Sequence, residues 1–144
     1  MTTINKDKYK FEKYNPIYKI LFQKEKAKLI KIFPKSQIEH VGSTSVPDLG
    51  GKGIIDIAIS APKNQINNSI KLLEKNGFEY KIKPLDKKRK FLQKIKSYRK
   101  KQRRIHIHLT NKNSIIWKSL IALRDYLIKN KEAREEYAKI KKRQ

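Results

Sequence analysis

Residues 38–60 read IEHVGSTSVPDLGGKGIIDIAIS, two β-prone runs separated by a turn rich in glycine and hydroxyl side chains. The first run, Ile38-Glu39-His40-Val41, is short and breaks at Gly42-Ser43-Thr44-Ser45. Residues of that kind open helical turns and offer backbone N–H groups and hydroxyls to an anion. The second run extends from Ile54 to Ile59. Strand alternation places Ile54, Asp56 and Ala58 on one face and Ile55, Ile57 and Ile59 on the other. Asp56 is therefore an acid carried on a rigid strand, downstream of a Gly-Ser turn. Gly42, Ser43, Thr44 and Lys52 are the phosphate-facing candidates, combining N–H groups, hydroxyls and a compact cation between the two strands. Helix capping is the structural alternative for the hydroxyls. Glu39 and His40 fall on opposite faces of the first strand, so only one of them can enter a pocket beside Asp56, and the sequence leaves open which.

Outward from this stretch, Asn15-Pro16 reads as the N-cap and first position of a helix running to about Phe33, ended by Pro34. Tyr18, Phe22, Leu29 and Phe33 form its apolar stripe and the lysines face water. On the other side, Pro62 starts a helix with Ile66, Ile70 and Leu73 on one face. Asn76-Gly77-Phe78 stops it, with Gly77 in the left-handed position. The chain returns as a strand from Phe78, giving a β-α-β unit. Residues 81–104 hold 13 Lys or Arg and one acid, Asp86, with Phe91, Ile95 and Tyr98 interleaved. They read as a strand or hairpin with charge at its ends; a flexible solvated loop is the commonest outcome for such a charge run. Ile105-His106-Ile107-His108-Leu109 is an alternating strand with both histidines on one face. Asn111 to Ser114 leads into a helix whose buried stripe is Trp117, Leu120, Ile121, Leu127 and Ile128, with Arg124 projecting from its middle. A charged helix from about Lys131 ends in the tail KIKKRQ.

If the strands of Asp56 and of His106 and His108 are neighbours, these three side chains face one pocket. Two imidazoles and one carboxylate suit a divalent ion of the zinc or manganese type better than Mg²⁺, which seeks oxygen ligands. His40, Arg89 and Arg124 are secondary candidates. A cation in an apolar stripe must meet a carboxylate or reach the pocket, and a structural ion pair is the expectation for Arg124. Asp125, one residue on, points to another helix face and is not expected to be its partner.

Composition bounds the rest. A chain of 144 residues fits one domain spanning 1–144 with one core. A net charge of +24 produces a field that attracts polyanions, yet 30 of the 37 basic residues are Lys, which points to compositional bias rather than specific phosphate readout. The absence of Cys excludes disulfides, thiolate metal sites and a Cys nucleophile. No apolar run approaches a membrane span and the first residues lack the apolar core of a signal peptide, so the expected compartment is the cytoplasm, with no membrane partner.

A strand ending in Gly-Ser, a twelve-residue excursion from Thr44 to Ile55, and an Asp among branched apolar residues resemble the signature of the polymerase-β-like nucleotidyltransferase superfamily. There Gly-Ser holds a triphosphate and strand acids hold Mg²⁺. IEHVGSTSVP, the IIDI of 54–57, HIH and RDYL together resemble the GrpB family of that superfamily, over nearly the whole chain. The resemblance implies an α+β fold: a small mixed sheet flanked by helices, with a C-terminal helical pair. It implies binding of a nucleotide or phosphorylated metabolite and a diverged nucleotidyl transferase. Active nucleotidyltransferases carry a second acid two residues after the first, where this chain has Ala58, and the acid of the neighbouring strand is replaced by His. Asp48 and Gly53 stand where the GrpB pattern often has Gly and Pro. One alternative is a non-enzymatic accessory module, as in domains of this kind fused to dephospho-coenzyme A kinases. The other is a basic protein binding nucleic acid weakly through residues 81–104 and the tail.

Overall fold

The computed structural model describes residues 11–82 and 89–142; expectations for the first ten residues, for Asp86 and for the last two residues of the basic tail lie outside them. The first helix, α1, spans Ile17–Ile32. The Asn15 carboxamide accepts the Ile17 N–H at 3.0 Å, satisfying one of the first free donors, and the chain leaves the helix before Pro34. Strand β1 is Ile38–Val41, and the hydroxyl-rich turn that follows is a 3-10 turn over Ser43–Ser45. Strand β2 spans Ile55–Ser60. Helix α2, Ile66–Lys75, is entered through a 3-10 turn at Lys63–Gln65 rather than directly at Pro62. At its end the Phe78 N–H reaches the Leu73 carbonyl at 3.1 Å and the Gly77 N–H reaches Glu74 at 3.2 Å, with Gly77 at φ +93°. This double closure satisfies terminal carbonyls and requires the left-handed conformation that glycine adopts without cost.

The described residues of 81–104 bear out the expected strand or hairpin rather than the solvated loop. They supply the end of β3 (Glu79–Lys81), all of β4 (Lys90–Tyr98) and the start of β5 (Lys101–Thr110), so β5 begins four residues before the histidine strand expected at Ile105. The basic run is tolerated in a sheet because alternate residues pair or reach solvent. Phe91 and Ile95 share one face of β4 while Tyr98 lies on the other, with Leu92. The strands make one sheet in the order β1-β2-β5-β4-β3, with β2 and β5 parallel and the other neighbours antiparallel. The expected β-α-β unit is therefore split. β2 and β3 run parallel, but β5 and β4 lie between them.

Helices α1 and α2 cover one sheet face. Tyr18, Leu21, Phe22 and Leu29 pack with Ile70 and Leu73 on Ile55, Ile57, Ile59, Ile105, Ile107 and Leu109. The opposite face is covered over β1 and β2 by helix α3 (Ile115–Lys129), through Trp117 on Val41 and Ala58. Ser114 caps α3, accepting the Trp117 N–H at 3.1 Å. Ile128, expected in the buried stripe, is 41% exposed because the contact face of α3 is narrower than the run of apolar residues. Helix α4 (Lys131–Lys142) sets Tyr137 and Ala138 against Val46, Leu49 and Leu127. Arg134 donates to the carbonyls of Leu127 and Ile128, closing the end of α3.

The segment before α1 is fastened by a network that begins at Glu12. Its backbone pairs with Gly51 in both directions, and its carboxylate takes hydrogen bonds from Tyr18, Arg103 (2.7 Å) and Lys101 (2.8 Å). Burial works to raise the Glu12 carboxyl, but those donors outweigh it and hold it at about 2.

Candidate functional site

The parallel pairing of β2 with β5 places Asp56 directly beside His106, with Ala58 beside His108. All four side chains share the face opposite α1, as alternation requires. The Asp56 carboxylate receives the His108 Nε2 at 2.9 Å and has the His106 Nδ1 at 3.6 Å, both on the same oxygen, Oδ1. Its other oxygen lies against Gly42. A Cβ at that position would sit 2.4 Å from Oδ2, and Gly42 has φ +74°. Only glycine fits there, which explains why a glycine closes β1. Burial pushes the Asp56 carboxyl up, yet hydrogen bonding and electrostatic attraction from His106 and His108 override it, and the group sits at about 2. It is an anion at neutral pH.

Behind His108 stands Arg89, with Nη1 3.3 Å from Nδ1. A guanidinium only donates, so Nδ1 accepts and Nε2 carries the hydrogen given to Asp56. Arg89 thus joins the site from the start of β4, forming the chain Arg89–His108–Asp56. The His106 Nε2 is buried and has no hydrogen-bond partner among the described residues, while the edge of Phe91 packs on both imidazoles. Among the described residues no three His, Asp or Glu side chains are arranged to hold a metal ion.

The other candidates divide. Thr44 is buried, donates its hydroxyl to the Ile54 carbonyl at 2.8 Å and contacts the His40 Nε2 at 3.0 Å, so it braces the turn from inside instead of facing an anion. Ser43 remains partly accessible, with Oγ close against Gly51, and Lys52 follows that contact as an exposed side chain. His40 goes to the α1 side, stacked on Phe22 with centroids 4.6 Å apart, and burial, reinforced by Arg124, lowers it to about 4 against the pull of Asp56. Glu39 is therefore the residue of that pair on the Asp56 face. Arg124 meets Glu39 at 3.4 Å and the His40 carbonyl at 3.1 Å, and it also pairs with Asp125 at 3.0 Å. The expectation that Asp125 stays apart fails because the guanidinium folds back along the helix and its Nε reaches the adjacent carboxylate.

Arg124, Asp56, His108, Gly42 and Tyr137 line a cavity of about 150 Å³ beneath α3 and α4. A second, open cavity of about 560 Å³ lies over β3, β4 and β5, bordered by Phe91, Gln93, Arg104 and His106. Phe91, Gln93 and Tyr137 were not identified from sequence. Phe91 and Gln93 were accessible in principle, since alternation along β4 puts both on one face, but that face is known only once β4 is paired with β5.

A mixed sheet with a Gly-Ser turn against a strand acid is the nucleotidyltransferase fold. A cytoplasmic RNA terminal U-transferase superposes over 85% of this chain and 39% of that one, at TM-score 0.57 and 14% identity. The poly(U) polymerase Cid1 bound to MgATP superposes over 80% and 38%, at TM-score 0.55 and 14% identity. Within that fold the chain belongs to the GrpB protein family, whose sequence model matches residues 8–144. The crystal structure of GrpB from Enterococcus faecalis superposes over 92% of this chain and 81% of that one, at TM-score 0.77 and 26% identity. A UPF0157 protein of Halalkalibacterium halodurans is 29% identical over 133 residues, 90% of this chain and 66% of that protein. The UPF0157 protein YqkA of Bacillus subtilis is 28% identical over 132 residues, 90% of this chain and 37% of that protein. This chain thus spans less than two thirds of the length of these two relatives.

Proposed function

We propose that the chain binds a nucleotide or phosphorylated metabolite on the sheet face carrying Asp56, as a diverged member of the nucleotidyltransferase superfamily. The observation that carries this reading is the packing of the Gly42-Ser43 turn on the Asp56 carboxylate, with both imidazoles directed at the same acid. The enclosed cavity of about 150 Å³ is small beside ligand pockets of about 300–1,000 Å³, so it suits one phosphate-sized group. The rest of the ligand extends over the open cavity, where the Phe91 edge and Gln93 can meet a ring and its polar groups.

An anionic Asp56 repels a phosphate beside it by about 4 kcal/mol at 4 Å in a partly screened site, so a cation must stand between them. Arg124 already shares its charge with Glu39 and Asp125. This favours a second component of the reading, a divalent ion of the zinc or manganese type taken up by Asp56, His106 and His108, whose present contacts join the imidazoles to Asp56 rather than making a ligand set and would have to rearrange around the ion. Such an ion, when bound, supplies Lewis-acid charge neutralisation. Ala58, buried under Trp117, leaves no second carboxylate for paired Mg²⁺ ions. His108 would have to carry its hydrogen on Nδ1, which requires Arg89 to withdraw. Without an ion the site binds but does not transfer, which is the accessory-module alternative.

The test is a thermal-shift and calorimetric titration with nucleoside triphosphates and inorganic phosphate, with and without Zn²⁺ or Mn²⁺. The expected result is a rise in melting temperature that is lost in Ser43→Ala/Lys52→Ala and in Gly42→Ala. Any metal-dependent part should disappear in Asp56→Ala, His106→Ala and His108→Ala. Unchanged affinity in the Ser43 and Lys52 double variant sinks the phosphate reading. A wild type that takes up no metal retires the ion and leaves an anion-binding fold.

A further inference from the structure

On the sheet face opposite Asp56, α1 and β4 bring together cations that the proposed ligand site does not use. Glu25 on α1 is 1% exposed, and its carboxylate is met by Lys94 at 3.1 Å and Lys96 at 3.5 Å. Lys28 lies one helical turn further along α1. Two ammonium groups on one carboxylate leave an excess of positive charge. Such crowding is costly unless an anion enters between them.

The neighbours extend the cluster into a row. Lys24 lies over the Tyr98 ring at 5.0 Å and Arg99 lies over the same ring at 5.3 Å, while Lys94 lies over Phe78 at 4.4 Å. Lys24 and Lys28 are four residues apart on α1 and so share a helix face; Lys94, Lys96 and Tyr98 alternate on one face of β4. The two rows flank the buried Glu25 carboxylate. Most of these cations are already held by a ring or a carboxylate, which lowers the entropy cost of ordering them on a ligand. Lysines elsewhere differ. Those of α4 are interspersed with Glu132, Glu135 and Glu136, as on an ordinary solvated helix.

We propose that the cationic side chains of α1 and β4 form a groove that binds the phosphodiester backbone of a nucleic acid strand, without base readout. Repeated cations along an extended groove match a repeated anion, and lysine rather than arginine suits contact with phosphate as a point charge instead of bidentate recognition of a base. The site is independent of the Asp56 face, so either can fail alone.

The experiment measures binding of fluorescein-labelled single-stranded RNA and duplex DNA by anisotropy, over a salt series from about 0.05 to 0.2 M. Two variants that lower the net charge equally are compared: Lys24→Glu/Lys28→Glu in the groove and Lys139→Glu/Lys141→Glu on α4. All four side chains are exposed, and unchanged melting temperatures confirm folding. The expected result is a loss of about tenfold or more in the groove variant and less than about threefold in the α4 variant. The milder Lys24→Gln/Lys28→Gln should reduce the salt slope by about 0.7 to 0.9 for each cation removed. Equal losses in both charge-reversal variants would mean that net charge alone attracts the strand, and would overturn the proposal. So would absence of binding at the lowest salt, or binding of inorganic phosphate that the labelled strands do not compete for.

Discussion

His40 shows how one residue type takes two roles within a few ångströms of Asp56. Its imidazole, stacked on Phe22 and kept from water, is held at about 4, below the ordinary 6.5. Between those values the unfolded chain binds a proton that the folded one refuses. Stability is therefore complete above pH 6.5 and falls as the pH drops from 6.5 toward 4. The expected loss between pH 7 and about 5 is about 2 kcal/mol, measured by urea denaturation. His40→Gln should flatten that dependence while leaving the ligand titrations of the Asp56 face unchanged. A wild type equally stable at both pH values would show that His40 accepts its proton in the folded state. At the same scale, part of the Asp56 site was legible in advance, because period-two alternation puts His106 and His108 on one face of their strand and Asp56 opposite the branched apolar residues of its own, while the pairing of β2 with β5 that joins them came from the structure. Arg89 as the partner of His108 and Glu39 as the partner of Arg124 were not, since both contacts join residues brought close only by strand pairing and helix packing.

The β4–β5 hairpin was expected as a strand or hairpin from its interleaved apolar residues, against a solvated loop from its composition. A run of cations reads as a solvated loop, yet Leu92, Tyr98 and Ile105 secure it to the core while Glu25 and Glu12 neutralise the cations that point inward. Its turn is made by Arg99 and Lys100 at φ +50° and +66°. Positive φ at both central residues matches the twist of the hairpin strands, but side chains other than Asn, Asp and Gly adopt it at a cost. Arg99→Asn/Lys100→Gly should therefore stabilise the protein by about 1 kcal/mol in chemical denaturation. A loss instead would mean that the Arg99 contact with Tyr98 outweighs the turn strain. Among the helices, the caps and breaks at Asn15, Pro34, Gly77 and Ser114 were readable because they depend on residues a few positions apart. Glu12 and Glu25 were not, since nothing local distinguishes a buried carboxylate from a solvated one.

Across the whole molecule, a net charge of +24 imposes self-repulsion that the compact state feels more than the unfolded chain. Added salt screens it over about 10 Å at 0.1 M. The melting temperature at neutral pH should thus rise with sodium chloride concentration, in a scan from about 0.02 to 0.5 M. A fall would show that ion pairs such as Glu12 with Arg103 and Lys101 matter more than the excess charge. Among the described residues no helix is long and apolar enough to cross a membrane. The helices, the alternation of β2 and β5 and the turn around Gly42 were legible because each is written in short-range periodicity and turn chemistry, whereas the mixed sheet of nucleotidyltransferase type was implied by the resemblance of the motifs to that superfamily. Three features were decided only by the tertiary structure: β5 lies beside β2, α1 and α3 take opposite faces, and His108, backed by Arg89, and Gly42 close around one carboxylate. These contacts join segments separated by tens of residues, and their energies depend on distances that a one-dimensional pattern does not contain.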